Sequence, residues 1–109
     1  MGKVQRFGSI SRTDGEEGAR RYAAFHAHPF DGVNEMIKAC HLQNYSIYYF
    51  DGYLFSYFEY TGDDYEADMA KMAADPRTQE WWAAVDPCMK PLGDGDRPWV
   101  DMQEVYHLD

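Results

Sequence analysis

The densest apolar runs in the chain are residues 43–50 (QNYSIYYF) and 53–60 (YLFSYFEY). They are rich in aromatic residues and free of Pro, as β-strands are. Between them stands Asp51-Gly52, a two-residue connection suited to a type I′ hairpin turn. That loop length sets the register, with Phe50 opposite Tyr53 and Ile47 opposite Ser56. One face of the ribbon then carries Tyr45, Ile47, Tyr49, Leu54, Ser56 and Phe58. The other carries Ser46, Tyr48, Phe50, Tyr53, Phe55 and Tyr57. Both faces are mostly aromatic or apolar, so both call for cover. A chain this short has helices for only one of them, and a second subunit is the simplest cover for the other.

The flanking segments supply the rest of the order. Residues 4–11 (VQRFGSIS) predict a first strand, ending at the turn-forming Thr13-Asp14-Gly15. Residues 16–28 (EEGARRYAAFHAH) predict a helix, with acids in the first turn and Ala in the middle. His28-Pro29 should end or kink it. Residues 32–41 resume helical spacing through Val33, Met36, Ile37 and Cys40. Residues 63–74 predict a helix, with Tyr65, Met69 and Met72 on one side and Asp63-Asp64 available as caps. Asp75 caps the next helix and Pro76 suits its first position. That helix reaches about Val85 and carries Trp81-Trp82, and Asp86-Pro87 ends it. Residues 90–98 read as a loop and 99–107 (WVDMQEVYH) as a last strand. The order β-α-β-β-α-α-β is close to the ferredoxin-like pattern. It predicts one α+β domain over residues 1–109, without internal repeats or low-complexity segments.

Composition narrows the function classes. The chain has 109 residues, 45% of them hydrophobic and 17% aromatic, enough for one modest core and too apolar for disorder. The formal net charge is −9, with Arg20-Arg21 the only adjacent basic pair. Nucleic-acid binding needs a basic stripe, so no nucleic-acid partner is expected. A neutral small ligand suits this charge better than a sugar phosphate. The opening MGKVQRFGSI lacks an apolar segment of export length, and no run is long enough to span a membrane. A cytoplasmic protein without a membrane partner is the expectation, with Cys40 and Cys88 as thiols rather than a disulfide.

Four places could carry chemistry. Tyr22 and His26 stand at i, i+4 and share a helix face. The His can give and take a proton near neutral pH, and the Tyr can orient a hydroxyl. Packing of that helix on the sheet would explain the pair equally well. His26 and His28 at i, i+2, with Asp31 nearby, point apart on a helix, so no metal site is expected. Adjacent Trp81 and Trp82 point about 100° apart, one towards the sheet and the other towards a cleft edge. Trp suits the apolar C–H face of a sugar, and its N–H can meet a hydroxyl. Tyr45 shares the Ile47 face, where core packing is the plainer explanation. Gly-rich phosphate loops, GxSxG and CxxC are missing.

The joint pattern resembles the L-rhamnose mutarotase family. The residues that carry the resemblance are Tyr22-x-x-x-His26, Asn44-Tyr45-Ser46-Ile47-Tyr48, the Trp81-Trp82 pair within TQEWWAAVDPCM, and the closing stretch from Met102 to Leu108. It covers nearly the whole chain. It implies ferredoxin-like subunits paired in a dimeric α+β barrel, and hence a homodimer. It also implies an isomerase that exchanges the α and β anomers of L-rhamnose, or a related 6-deoxy hexose, by acid-base ring opening and closure without a cofactor. Position by position, His26 matches the proton donor, and Tyr22, Tyr45, Trp81 and Trp82 match substrate-binding residues. The chain departs from the family at Ala24-Phe25, where Arg-Arg is usual, and at Phe30, which takes the place of a Trp before Pro. The alternatives are a non-catalytic sugar-binding or dimerisation domain, or another small enzyme on the same barrel, such as a monooxygenase or a lactone isomerase.

Overall fold

A computed structural model describes residues 3–92, 95 and 97–109. The elements are β1 (Gln5–Thr13), α1 (Gly15–Ala27), α2 (Val33–Ala39), β2 (Leu42–Phe50), β3 (Tyr53–Tyr60), α3 (Tyr65–Ala74), α4 (Pro76–Val85), a 3₁₀ turn (Asp86–Cys88), β4 (Met89–Lys90) and β5 (Val100–Asp101). The strands form one antiparallel sheet in the order β2-β3-β1-β4, with β5 also paired to β1. The fold is mixed α+β, a curled half-barrel of strands with four helices.

The hairpin has the expected register: Phe50 pairs with Tyr53 and Ile47 with Ser56. Asp51 and Gly52 both have positive φ, 51° and 88°, as a type I′ turn requires. Strand β1 lies between β3 and the chain's last pieces, matching Arg6 to Glu59 and Ser11 to Leu54. It is longer than expected, because Thr13 still pairs with Met89 and donates its N–H to the Gly52 carbonyl.

The helices cover one face. One core cluster joins Tyr22, Val33, Leu54, Trp81, Val85, Cys88 and Met89. A second joins Cys40, Leu42, Tyr60 and Met72. Helix α1 sits close to the 3₁₀ turn: a Cβ at Gly18 would meet the Cys88 carbonyl oxygen at 2.6 Å, so only glycine permits this approach. Asp64 accepts from Ala67 N–H, and Asp75 accepts from both Thr78 N–H and Oγ1–H. Both caps are the expected ones. Tyr60 ties α3 to the sheet, its hydroxyl donating to Asp68 Oδ2 at 2.5 Å and accepting from Asp64 N–H. Burial and the Asp68 carboxylate push the Tyr60 phenol up to about 12.

Two expectations at the end of the chain need correction. The expected loop 90–98 begins inside a strand, because Lys90 pairs with Arg12; residues 93, 94 and 96 of that stretch lie outside the described residues. The expected strand 99–107 pairs only at Val100 and Asp101. Met102 N–H still reaches the Gly8 carbonyl, and Arg6 meets Glu104 at 2.8 Å, but the ladder stops. Alternation in sequence marks a strand only if both a neighbouring edge and a face to cover exist, and a single chain offers this tail no face. Val105 stays 89% exposed.

The uncovered face of the sheet remains aromatic. Tyr48 and Phe50 are 66% and 74% exposed.

Candidate active site

The site forms where α1 and α2 lean over the hairpin. A cleft of about 590 Å³ opens there, lined from the helices by Tyr22, His26, Asn34 and Lys38, and from the sheet by Tyr45, Ile47 and Leu54, with Trp81 behind. Its volume lies within the roughly 300–1,000 Å³ usual for small-molecule sites.

Helical spacing does the first part of the placement. Tyr22 and His26 stack with ring centroids 4.1 Å apart. Trp81 also meets the histidine, edge-on at 5.0 Å. His26 Nδ1 lies 2.8 Å from the Tyr22 carbonyl oxygen. A carbonyl can only accept, so Nδ1 carries the proton, and Nε2 is the nitrogen left to exchange one. Burial lowers the His26 pKa from its ordinary 6.5, and the carbonyl bond works against that shift. The chain thus provides a ring of fixed tautomer, in contact with two aromatic side chains.

The phenols are set to stay neutral. Burial, then the neighbouring Tyr45 and Asp86, push the Tyr22 hydroxyl well above the usual tyrosine range. Burial, with Tyr65 second, also raises the Tyr45 hydroxyl. Tyr45 keeps 43% of its surface open, yet its ring packs on Phe58 at 5.2 Å and its position borders the cleft. Both hydroxyls can donate hydrogen bonds without ionising.

The structure therefore brings Tyr22, His26, Tyr45 and Trp81 to one cleft. Trp82 stands apart from them, 39% exposed and outside the lining, because its neighbour takes the inward direction on α4. Asn44 borders the cleft beside Tyr45. His28 is an exposed helix-end residue, and among the described residues no group of three or more His, Cys, Asp or Glu converges.

Sequence reasoning passed over Asn34 and Lys38. They share one face of α2 with Ile37 and line the cleft with it. A polar pair at i, i+4 beside an apolar position was the available signal. It also passed over the packing around Phe30, whose ring meets Trp81 edge-on at 5.1 Å and Phe25 at 6.1 Å. Arg77 braces that loop, donating to the Asp31 carbonyl.

Three comparisons bear on this arrangement. The L-rhamnose mutarotase family model matches residues 6–108. The chain is 35% identical over 82 residues to an L-rhamnose mutarotase of Ligilactobacillus salivarius, spanning 73% of each chain. It is 31% identical over 90 residues to one of Lactiplantibacillus plantarum, spanning 81% of this chain and 84% of that one. The crystal structure of an L-rhamnose mutarotase from Formosa agariphila superposes with a TM-score of 0.76 at 17% identity, covering 96% of this chain and 99% of the other. That last likeness shows the fold alone; the sequence matches show the family.

Proposed function

Since this chain belongs to the L-rhamnose mutarotase family, we propose that it is an isomerase whose cleft exchanges the α and β anomers of L-rhamnose or a closely related 6-deoxy hexose. The observation that carries this reading is His26, packed against Tyr22 and Trp81 and lining the cleft, with only Nε2 left to exchange a proton.

In the ring-opening step the C1–O5 bond breaks, O5 gains a proton and the anomeric hydroxyl loses one to become the C1 carbonyl. Nε2 of His26 supplies the O5 proton, and water takes the anomeric one. After rotation about C1–C2 the steps reverse on the other carbonyl face, and His26 recovers its proton. Every proton and bond is accounted for, so no oxidant, nucleophile or cofactor takes part in the balance. Tyr22 and Tyr45 donate hydrogen bonds to sugar hydroxyls, which their raised pKa values permit. Trp81 faces the apolar C–H side and the 6-methyl group. Trp82, outside the cleft lining of the single chain, is assigned a wall contact on the strength of its match to a substrate-binding position of the family.

Uncatalysed mutarotation is already quick, and one positioned acid-base group typically contributes about 10²–10⁴-fold. Replacing His26 by Ala should therefore remove the catalysed exchange seen by saturation-transfer NMR while the circular dichroism spectrum stays unchanged. Exchange at the wild-type rate in that variant would overturn the assignment. Tight sugar binding by the unaltered protein with no gain in exchange would favour a non-catalytic binding domain instead.

A further inference from the structure

We infer that Glu59 is a positioning residue: together with Asn44 it holds a one-residue bulge in β2 that turns Tyr45 into the cleft. The inference rests on the reading above, in which Tyr45 binds the sugar.

The register carries it. Leu42 pairs with Tyr60 and Gln43 with Glu59; pairing then resumes at Ser46 with Tyr57. Two residues, Asn44 and Tyr45, thus oppose the single Phe58, as in a β-bulge. Leu42 lies in the core under the helices. Strict alternation from there would send position 44 to the helix side and Tyr45 to the open face. The extra residue reverses that, and Tyr45 packs on Phe58 on the cleft side instead.

Asn44 absorbs the irregularity with φ 48°. Asn tolerates the left-handed region better than most residues, but such backbone persists only where its surroundings hold it. The holding group is visible. Asn44 Nδ2 donates to Glu59 Oε1 at 2.7 Å, Gln43 Nε2 donates to the same oxygen at 2.9 Å, and the Tyr57 hydroxyl donates to Oε2 at 2.8 Å. Three donors from both sides of the bulge converge on one carboxylate, and bonds to an ionised acceptor are the stronger kind. Those three bonds, Gln43 first, hold the Glu59 carboxyl below its usual range, so it is charged at neutral pH. Glu59 is not among the cleft-lining residues. Its removal would reach the sugar through what it holds: Gln43 and Asn44, which line the cleft, and the bulge that orients Tyr45.

The test combines four variants with one label. Glu59→Ala should raise the KM for L-rhamnose roughly tenfold while kcat changes little, since lost positioning of a binding group is lost ground-state binding. Glu59→Gln keeps an acceptor oxygen for Asn44 and Gln43, and should restore most of the affinity. In a Tyr45→Ala background Glu59→Ala should add no further KM effect, because both act through the same ring. A ¹³C-labelled Tyr45 ring should shift in Glu59→Ala and much less in Glu59→Gln, with no sugar present. A lower melting temperature with an unchanged KM, fully additive KM effects, or an unmoved Tyr45 signal would each overturn the inference. Absence of exchange by the wild-type protein on every 6-deoxy sugar would instead sink the proposed activity, and the Tyr45 signal would still decide the bulge.

Discussion

His26 shows how one backbone carbonyl can direct a side chain's chemistry. With Nδ1 committed to the Tyr22 carbonyl, the ring has one exchangeable site, and burial makes its protonated form a stronger acid and a rarer one. The sign of two pH effects follows. The donor is the imidazolium, so catalysed exchange above background should rise as pH falls through the lowered His26 pKa, with NMR titration of the ring tracing the same midpoint below 6.5. Stability should move the opposite way. The unfolded chain takes up that proton near 6.5 and the folded chain only at lower pH, so this contribution is complete above 6.5 and erodes as pH falls through the folded value. A midpoint above 6.5 would contradict both expectations. The exposed ion pairs have no such leverage: Arg20 with Glu17, both mostly in solvent, belongs to a class worth about 0–1 kcal/mol.

At the scale of elements, α1 matters because it carries both Tyr22 and His26. Its approach depends on Gly18, which lies against the Cys88 carbonyl, and on Asp14 N–H donating to that same oxygen at 2.8 Å. Gly18→Ala would push a methyl group into backbone, where no flexible side chain can yield. Ala is intrinsically the better helix former by about 1 kcal/mol. The clash wins, because overpacking of this kind costs about 1–3 kcal/mol or more. The expected outcome is a lower denaturant midpoint together with weakened exchange, since any relief moves the helix bearing the site. A variant as stable and active as the parent would show that α1 has room. Helix α2 makes the contrasting case. With seven residues it is too short to persist alone, and its buried Val33 and its packing beside Cys40 hold it over the cleft.

The whole molecule presents two unlike faces. Helices bury one side of the sheet, and the other leaves Tyr48, Phe50 and Tyr53 in solvent, with Val105, Tyr106 and Leu108 exposed at the end of the chain. Contiguous apolar surface of this kind marks an interaction site. A second copy is the partner that the resemblance implies. Sedimentation should report a dimer for the parent chain, and Phe50→Glu combined with Tyr48→Glu should shift it towards monomer by placing charge in that interface. A parent that sediments as a monomer would refute the pairing.

Some of this was determined by the sequence alone because the governing interactions are local. Asp51-Gly52 sets a turn and therefore a register, and Asp64, Asp75 and Pro76 mark helix starts. The i, i+4 spacing puts Tyr22 beside His26, and the matched motifs name a family. Other features depend on partners far along the chain, and no window of sequence contains them. The bulge at Asn44 exists because Glu59 lies across the ladder. Which tryptophan turns inward is decided by where α4 packs, Trp81 against His26 and Trp82 outward. The last strand shrinks to Val100 and Asp101 because pairing needs an edge and a face, and alternation along a chain records neither. Local propensities could be read in advance; the distances that turn a tyrosine, a histidine and an indole into one cleft came only from tertiary packing.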